Sequence, residues 1–228
     1  FLFCDNMLLL AVACTLMLFM EGSGWPDPDC GQTLVRTRRR FIYGGRKAKV
    51  GEFPWMVYFD IVTANETLVC GGSIIKRDVV LTAAHCLLWP GVNTSASSFY
   101  AGSLDRKNVG LYLQRRKIKQ VITHEDYSGH ITFEYSNDIA LIKLTRPFDF
   151  AASKGRIGTV CLAVKLPLPG KFVTVAGWGK TSLYGNFSGH LLAVTIPVLT
   201  DKICRKTHTR FYRSKLMFCA GENRKQAG

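Results

Sequence analysis

Short runs of valine, isoleucine, leucine and threonine recur along most of the chain, and they constrain its fold more than any other feature. Glycine, proline, asparagine and aspartate separate these runs, which is the pattern of strands joined by turns. Helix is predicted only near residues 83–87 and 201–206, the second with Thr200 as its N-cap. The predicted strands are 56–62, 72–75, 79–82, 111–123, 139–144, 171–176 and 191–198. This spacing predicts an all-β fold, either a barrel or a sandwich.

The first residues of the chain are almost wholly apolar. Asp5 and Asn6 interrupt them, and the run that follows is shorter than the roughly 20 residues that span a bilayer. The small residues Gly22, Ser23 and Gly24 then suit a signal-peptidase site. We therefore predict a signal peptide over residues 1–24, with Met7 as a candidate true start, and a secreted, extracellular protein. An N-terminal membrane anchor is the alternative.

The cysteines agree with secretion. Of the eight, Cys4 and Cys14 belong to the N-terminal apolar segment, and an even number remains for disulfides. No Cys-x-x-Cys spacing or His and Cys cluster suggests a metal site, so we expect neither metal nor cofactor. Three Asn-x-Ser/Thr sequons predict glycosylation on surface loops, at Asn65, Asn93 and Asn186.

The chain carries a formal net charge of +14 at pH 7. One basic cluster comprises Arg115, Arg116, Lys117 and Lys119, and a second lies within residues 205–215. Two interpretations stand: a solvated strand face, or a surface that binds polyanions. For a secreted chain, sulfated glycosaminoglycan is the expected polyanion, rather than nucleic acid.

His85 and Asp138 are the candidate catalytic residues. His85 lies between two alanines and Cys86, a setting that would hold the imidazole rigidly. Asp138 directly precedes an apolar predicted strand. Burying a carboxylate there is favourable only if a partner compensates the cost of removing its charge from water. Activating a serine hydroxyl needs an imidazole that a carboxylate holds in one tautomer. The pair therefore predicts two members of a catalytic triad. We interpret His124, His130, His190 and His208 as surface or loop residues.

At these motifs the chain resembles the chymotrypsin/trypsin family of serine endopeptidases, peptidase S1. Residues 70–75 and 81–86 resemble the family's histidine-loop region, and 137–141 its aspartate motif. Residues 175–179 resemble its Gly-Trp-Gly turn, and 217–221 the segment before its serine. The resemblance implies two antiparallel Greek-key β-barrels, the second incomplete, and peptide-bond hydrolysis through an acyl-enzyme. It also implies disulfides that pair Cys70 with Cys86, Cys204 with Cys219, and Cys30 with Cys161.

The resemblance divides the chain into a short propeptide over residues 25–41, tethered by Cys30, and a partial protease domain over residues 42–228. The family's partners are protein or peptide substrates and macromolecular inhibitors. We expect a monomer that associates with neither nucleic acid nor, in its mature form, a membrane.

Three departures from the family pattern stand out. The activation segment reads Arg40-Phe41-Ile42, so an insertable Ile42 requires a cut after Phe41 rather than after Arg40. Val173 stands where many relatives have a cysteine. No Gly-Asp-Ser-Gly or Gly-x-Ser-x-Gly sequence occurs in the 228 residues, and we expect the sequence to be truncated before the serine motif. The alternative is a catalytically inactive homologue that acts as a binding or regulatory protein.

Overall fold

The computed structural model describes residues 29–35, 45–64, 67–88, 91–107, 110–127, 136–181, 185–207 and 212–221. The predicted signal peptide, the activation segment from Arg40 to Ile42, and Asn65 lie outside the described residues. Within the described ranges, no helix combines the length and the apolarity that crossing a bilayer requires.

The regular secondary structure of the described residues is almost entirely strand, with two short helices. The helices are α1 (His85–Leu88) and α2 (Asp201–Thr207). The strands are β1 (Arg46–Lys47), β2 (Met56–Val62), β3 (Thr67–Lys76), β4 (Val79–Thr82), β5 (Ser98–Ala101), β6 (Gln114–Thr123), β7 (Ala140–Leu144), β8 (Phe172–Gly177) and β9 (Leu192–Pro197). The mostly β prediction is therefore confirmed.

Six of the strands close into an antiparallel barrel, in the order β2-β3-β4-β7-β6-β5. Alternation along β2 sends Val57, Phe59 and Ile61 into the barrel, where each is at most 3% exposed. Phe99 from β5 stacks on Phe59 with a centroid separation of 4.3 Å. Aliphatic side chains from β3, β4 and β7 complete this core, which fixes the ends of the strands that lead to the candidate site.

The remaining strands form an open antiparallel sheet in the order β1-β9-β8. The resemblance implies a second, incomplete barrel, and the described residues give this three-stranded sheet in its place. Arg46 on β1 forms an ion pair with Glu52, whose side chain is 2% exposed, and this hydrogen bond raises the pKa of Arg46. The pair fixes the start of β1 beside the first barrel.

The described part of the chain contains three disulfides, Cys30–Cys161, Cys70–Cys86 and Cys204–Cys219. They are the pairs that the resemblance implies. The Cys30–Cys161 disulfide joins residues 131 positions apart and ties the N-terminal segment to the body of the protein. At α2, the Thr200 hydroxyl accepts a hydrogen bond from the Ile203 N–H at 3.4 Å, which is the N-cap geometry that the sequence predicts.

Candidate active site

The register of two barrel strands brings the candidate catalytic residues together. β4 pairs with β7, and Thr82 lies opposite Ala140. His85 follows Thr82 by three positions and Asp138 precedes Ala140 by two, so both residues leave the barrel at the same end. Two strands that are held in one register thus position a base and a carboxylate that are 53 residues apart in sequence.

The residues before and after His85 in sequence are both anchored to the barrel. Its neighbour Ala84 is fully buried, and the Ala84 carbonyl accepts hydrogen bonds from Leu87 and Leu88, closing the short helix α1. On the other side, Cys86 forms a disulfide with Cys70 on β3. Small residues before the histidine let the backbone pack closely, and the disulfide limits how far α1 can move from β3.

Asp138 holds His85 at two points. The carboxylate oxygen Oδ2 lies 2.7 Å from His85 Nδ1, and Oδ1 accepts a hydrogen bond from the His85 backbone N–H at 2.8 Å. Asn137, at a positive φ of 56°, turns the chain before this carboxylate, and Asn137 O accepts a bond from Ile139 N–H at 2.7 Å. The double contact fixes both the position and the rotation of the imidazole.

An ionised carboxylate is only an acceptor, so the proton of a neutral His85 resides on Nδ1, which donates to Asp138. Nε2 is then the basic nitrogen, as a general base requires. The Asp138 side chain is 20% exposed and that of His85 is 44% exposed. The carboxylate is thus the more sheltered partner, and the imidazole remains accessible to a substrate.

A cavity of about 480 Å³ lies beside His85, between the barrel and the open sheet. Val69 and Met56 line it from the barrel, and Gly177, Trp178 and Phe187 line it from the opposite side. The sequence prediction identified the Gly-Trp-Gly turn but not Val69 or Phe187. No local pattern marks them, because their role depends on how the two sheets meet.

Cys70, His85 and Cys86 offer ligand atoms that lie within 4.8 Å of one another, the spacing of a metal site. The two sulfur atoms are bonded to each other, so neither is available as the thiolate that zinc prefers. We therefore interpret the cluster as the disulfide that anchors the segment carrying His85 to β3, and not as a metal site.

The other predicted residues are dispersed. Asn93 and Asn186 are exposed, and Asn186 adjoins the cavity residue Phe187. His124 is exposed, as expected, and His190 is half-buried, whereas His130 and His208 lie outside the described residues. In the first basic cluster, Arg115, Lys117 and Lys119 are exposed.

Arg116 departs from the expectation that it shares a surface with its neighbours. It is 8% exposed, donates to Pro147 O at 2.8 Å and lies over the Phe148 ring. Burial lowers its pKa. Strand alternation turns Arg116 to the opposite face, so it does not belong to the exposed basic surface.

Comparisons with known proteins agree with this geometry. A family model described as Trypsin matches residues 42–228. Coagulation factor IX of Cavia porcellus is 32% identical over 184 residues, covering 79% of this chain and 60% of that protein. The chain thus spans less than two thirds of the length of that relative. A solved structure described as "Structure of GrC" aligns with a TM-score of 0.69 at 26% identity, covering 79% of this chain and 75% of that one.

The family match begins before the first barrel and includes the strands that position His85 and Asp138. By the extent of that match and the identity to a curated relative, this chain belongs to the trypsin family of serine peptidases.

Proposed function

We propose that the chain is part of a secreted serine endopeptidase in which His85 is the general base and acid and Asp138 orients it. The observation that carries the proposal is the double contact of one carboxylate with both the ring and the backbone of His85. A merely structural ion pair needs only the ring contact. Holding the backbone as well fixes the direction in which Nε2 points.

In the proposed reaction, the nucleophile is a serine hydroxyl that residues 1–228 do not supply in a recognisable motif. His85 Nε2 removes the hydroxyl proton as the serine oxygen attacks the peptide carbonyl carbon. The imidazolium that forms is stabilised by Asp138 and returns the proton to the leaving amine. Water then releases the acyl group by the same proton transfers in reverse order.

The cavity beside His85 is the proposed binding site for a peptide substrate. Its apolar lining from Val69, Trp178 and Phe187 suits side chains next to the cleaved bond. We infer that the open sheet β1-β9-β8 is part of the second Greek-key barrel that the family fold implies, with the cavity between the two barrels.

Activation is proposed to cut the chain next to Ile42. The Cys30–Cys161 disulfide would keep residues 25–41 attached afterwards as a short tethered propeptide. Amino-terminal sequencing of the mature protein tests this: a new terminus at Ile42 supports the proposal, and an intact bond on both sides of Phe41 in active protein contradicts it.

A fluorophosphonate probe tests the enzyme assignment directly, because it labels only a serine that a base activates. The natural, activated protein is expected to be labelled, and His85→Ala is expected to abolish labelling. His124→Ala is the matched control, since His124 is also exposed and also faces a carboxylate, with 4.0 Å between His124 Nδ1 and Asp126 Oδ2. Absence of labelling after confirmed activation would support an inactive regulatory homologue instead.

A further inference from the structure

A row of cations crosses the outer face of the first barrel. Arg115, Lys117 and Lys119 are exposed on β6, and Lys143 is exposed on the adjacent strand β7. The register of β6 with β7 shifts between Ile118 and Gln120, and Gln120 pairs with Lys143. The shift places both Lys119 and Gln120 in solvent, so that the row continues from one strand to the next.

Four exposed cations make up the basic row: Arg115, Lys117, Lys119 and Lys143. Among the described residues, the salt bridges within 4.0 Å involve none of its four members. Lys117 Nζ donates to Ser95 O at 3.1 Å, and Arg115 lies over the Tyr100 ring. Asp60, near Tyr100, is an acid close to the Arg115 end. The row therefore presents a net positive charge, with contacts that hold two of its four cations in place.

The folded position of the row separates it from the candidate active site. β6 reaches that site only at its far end, where Thr123 pairs with Ala140. Lys119 is four residues from Thr123 and Lys143 is three residues from Ala140, which is about 13 Å and about 10 Å along extended strands. A ligand on the row can therefore bind without occupying the cavity beside His85.

We propose that the basic row is a docking surface for a linear sulfated polysaccharide. Charge complementarity is the argument: four exposed cations that form no salt bridge with any described residue suit a chain that carries repeated anionic groups. The three disulfides match an oxidising, extracellular environment, where such polysaccharides occur.

Nucleic acid is the less suitable polyanion. Binding of single strands relies on exposed aromatic rings on which bases stack. The aromatic ring beside the row belongs to Tyr100, which is half-buried, stacks on Tyr58 and is covered by Arg115. Among the described residues, the row thus offers charge without an exposed ring on which bases could stack.

Heparin affinity of the full chain, folded with its disulfides, tests the proposal. Replacing the row by Arg115→Gln, Lys117→Gln, Lys119→Gln and Lys143→Gln is expected to weaken binding roughly tenfold or more, since four modest exposed ion pairs with the polysaccharide are lost together. The matched control replaces four exposed lysines outside both basic clusters by glutamine and removes the same charge, at Lys49, Lys165, Lys171 and Lys202. The control is expected to weaken binding less than about threefold.

Equal losses of heparin affinity in the basic-row variant and the control variant would overturn the proposal, because binding would then depend on net charge alone. Tighter binding of single-stranded DNA than of heparin of similar length would overturn it in favour of nucleic acid. Weak binding of hyaluronan, a non-sulfated polysaccharide, supports the need for sulfate, and binding equal to heparin contradicts it. Circular dichroism of both variants establishes that they are folded before affinities are compared.

Discussion

At the scale of single residues, the hydrogen bonds of two histidines predict opposite tautomers. His85 Nδ1 faces the acceptor Asp138, so its proton belongs on Nδ1. His124 Nδ1 instead accepts a hydrogen bond from the Asp126 backbone N–H at 3.1 Å, which leaves the proton on Nε2. Nitrogen NMR of the imidazoles at about pH 8, where histidine is ordinarily neutral, is expected to show this contrast.

Nitrogen NMR of the imidazoles also tests the role of Asp138 in a variant of that residue. Asp138→Asn leaves a side chain of similar size but can present an N–H to His85 Nδ1, so the His85 proton is expected to move to Nε2. In the activated natural protein this change is expected to lower kcat by about 10⁴-fold, because an imidazole in the wrong tautomer cannot accept the serine proton. His124 serves as the internal control and keeps its tautomer. An unchanged His85 tautomer in this variant would contradict the assigned role of Asp138.

Tyr58 carries a prediction for alkaline pH. Its side chain is 5% exposed, and burial followed by the nearby charge of Asp60 raises its pKa to about 12. Because the folded pKa exceeds the ordinary value of 10.0, folding favours the protonated phenol. This contribution to stability is complete below about pH 10 and is lost as the pH rises towards 12.

Spectrophotometric titration checks the Tyr58 prediction. Tyr58→Phe is expected to remove a late-titrating phenolate signal and to flatten the fall in unfolding free energy between about pH 10 and 12. Tyr112, a partly buried tyrosine that lies beneath the Arg156 guanidinium, is the control site for a Tyr→Phe change. Titration of Tyr58 in the folded protein near pH 10 would show that the phenol is not shielded.

At the scale of the strands, replacing either of two adjacent glycines of β3 by alanine is expected to have very different effects on stability. A Cβ at Gly72 would lie 2.8 Å from Val80 Cγ1 and 3.0 Å from Leu81 O, whereas one at Gly71 would meet only Val57 O, at 3.9 Å. Gly72→Ala is therefore expected to cost roughly 1–3 kcal/mol through overpacking between β2 and β4. Gly71→Ala is the matched control and is expected to cost well under that. Urea unfolding of both variants measures the difference.

The strands also show how far sequence patterns reach. The predictions for residues 56–62 and 79–82 coincide with β2 and β4, because alternation and turn residues define both ends of each strand. β3 begins at Thr67, five residues before the predicted start, since it pairs along the whole of β2 and needs no further apolar signal there. Pairing partners, which a sequence pattern does not reveal, set the length of such a strand.

Two strands were not predicted at all. β1 is two charged residues long and exists because it pairs with Leu192 and Ala193 of β9. β5 begins with Ser98, a residue typical of loops, yet it completes the barrel between β2 and β6. More of the candidate site than of these strands could be predicted from the sequence. The motifs indicated His85 and Asp138, which form a hydrogen-bonded pair in the structure. Val69 and Phe187 line the cavity only because of tertiary packing, which no motif indicates.

At the scale of the whole molecule, an aromatic cluster joins the closed barrel to the open sheet. Trp178, just after β8, is 5% exposed and packs edge-on against Tyr58 of β2 with a centroid separation of 5.3 Å. Tyr58 in turn stacks on Tyr100 of β5. The fully buried Leu191, just before β9, packs in the same cluster. This contact sets the separation of the two sheets and thereby the width of the cavity beside His85.

The indole N–H of Trp178 adds a directional link, because it donates to Leu104 O at 3.0 Å across the same junction. Trp178→Phe keeps a ring but removes this bond, while Leu104 O still accepts from the Leu191 N–H at 2.7 Å, so the change is expected to lower the free energy of unfolding by about 0.5–1.5 kcal/mol. Trp55→Phe, at a half-buried tryptophan beside the barrel core, is the control and is expected to cost less. Urea unfolding followed by far-ultraviolet circular dichroism measures both.

If Trp178 links the sheets as the structure indicates, unfolding of the Trp178→Phe variant is also expected to lose cooperativity. The barrel would then unfold at a higher urea concentration than the open sheet. A single transition at an unchanged midpoint would show that the two sheets are joined by other contacts.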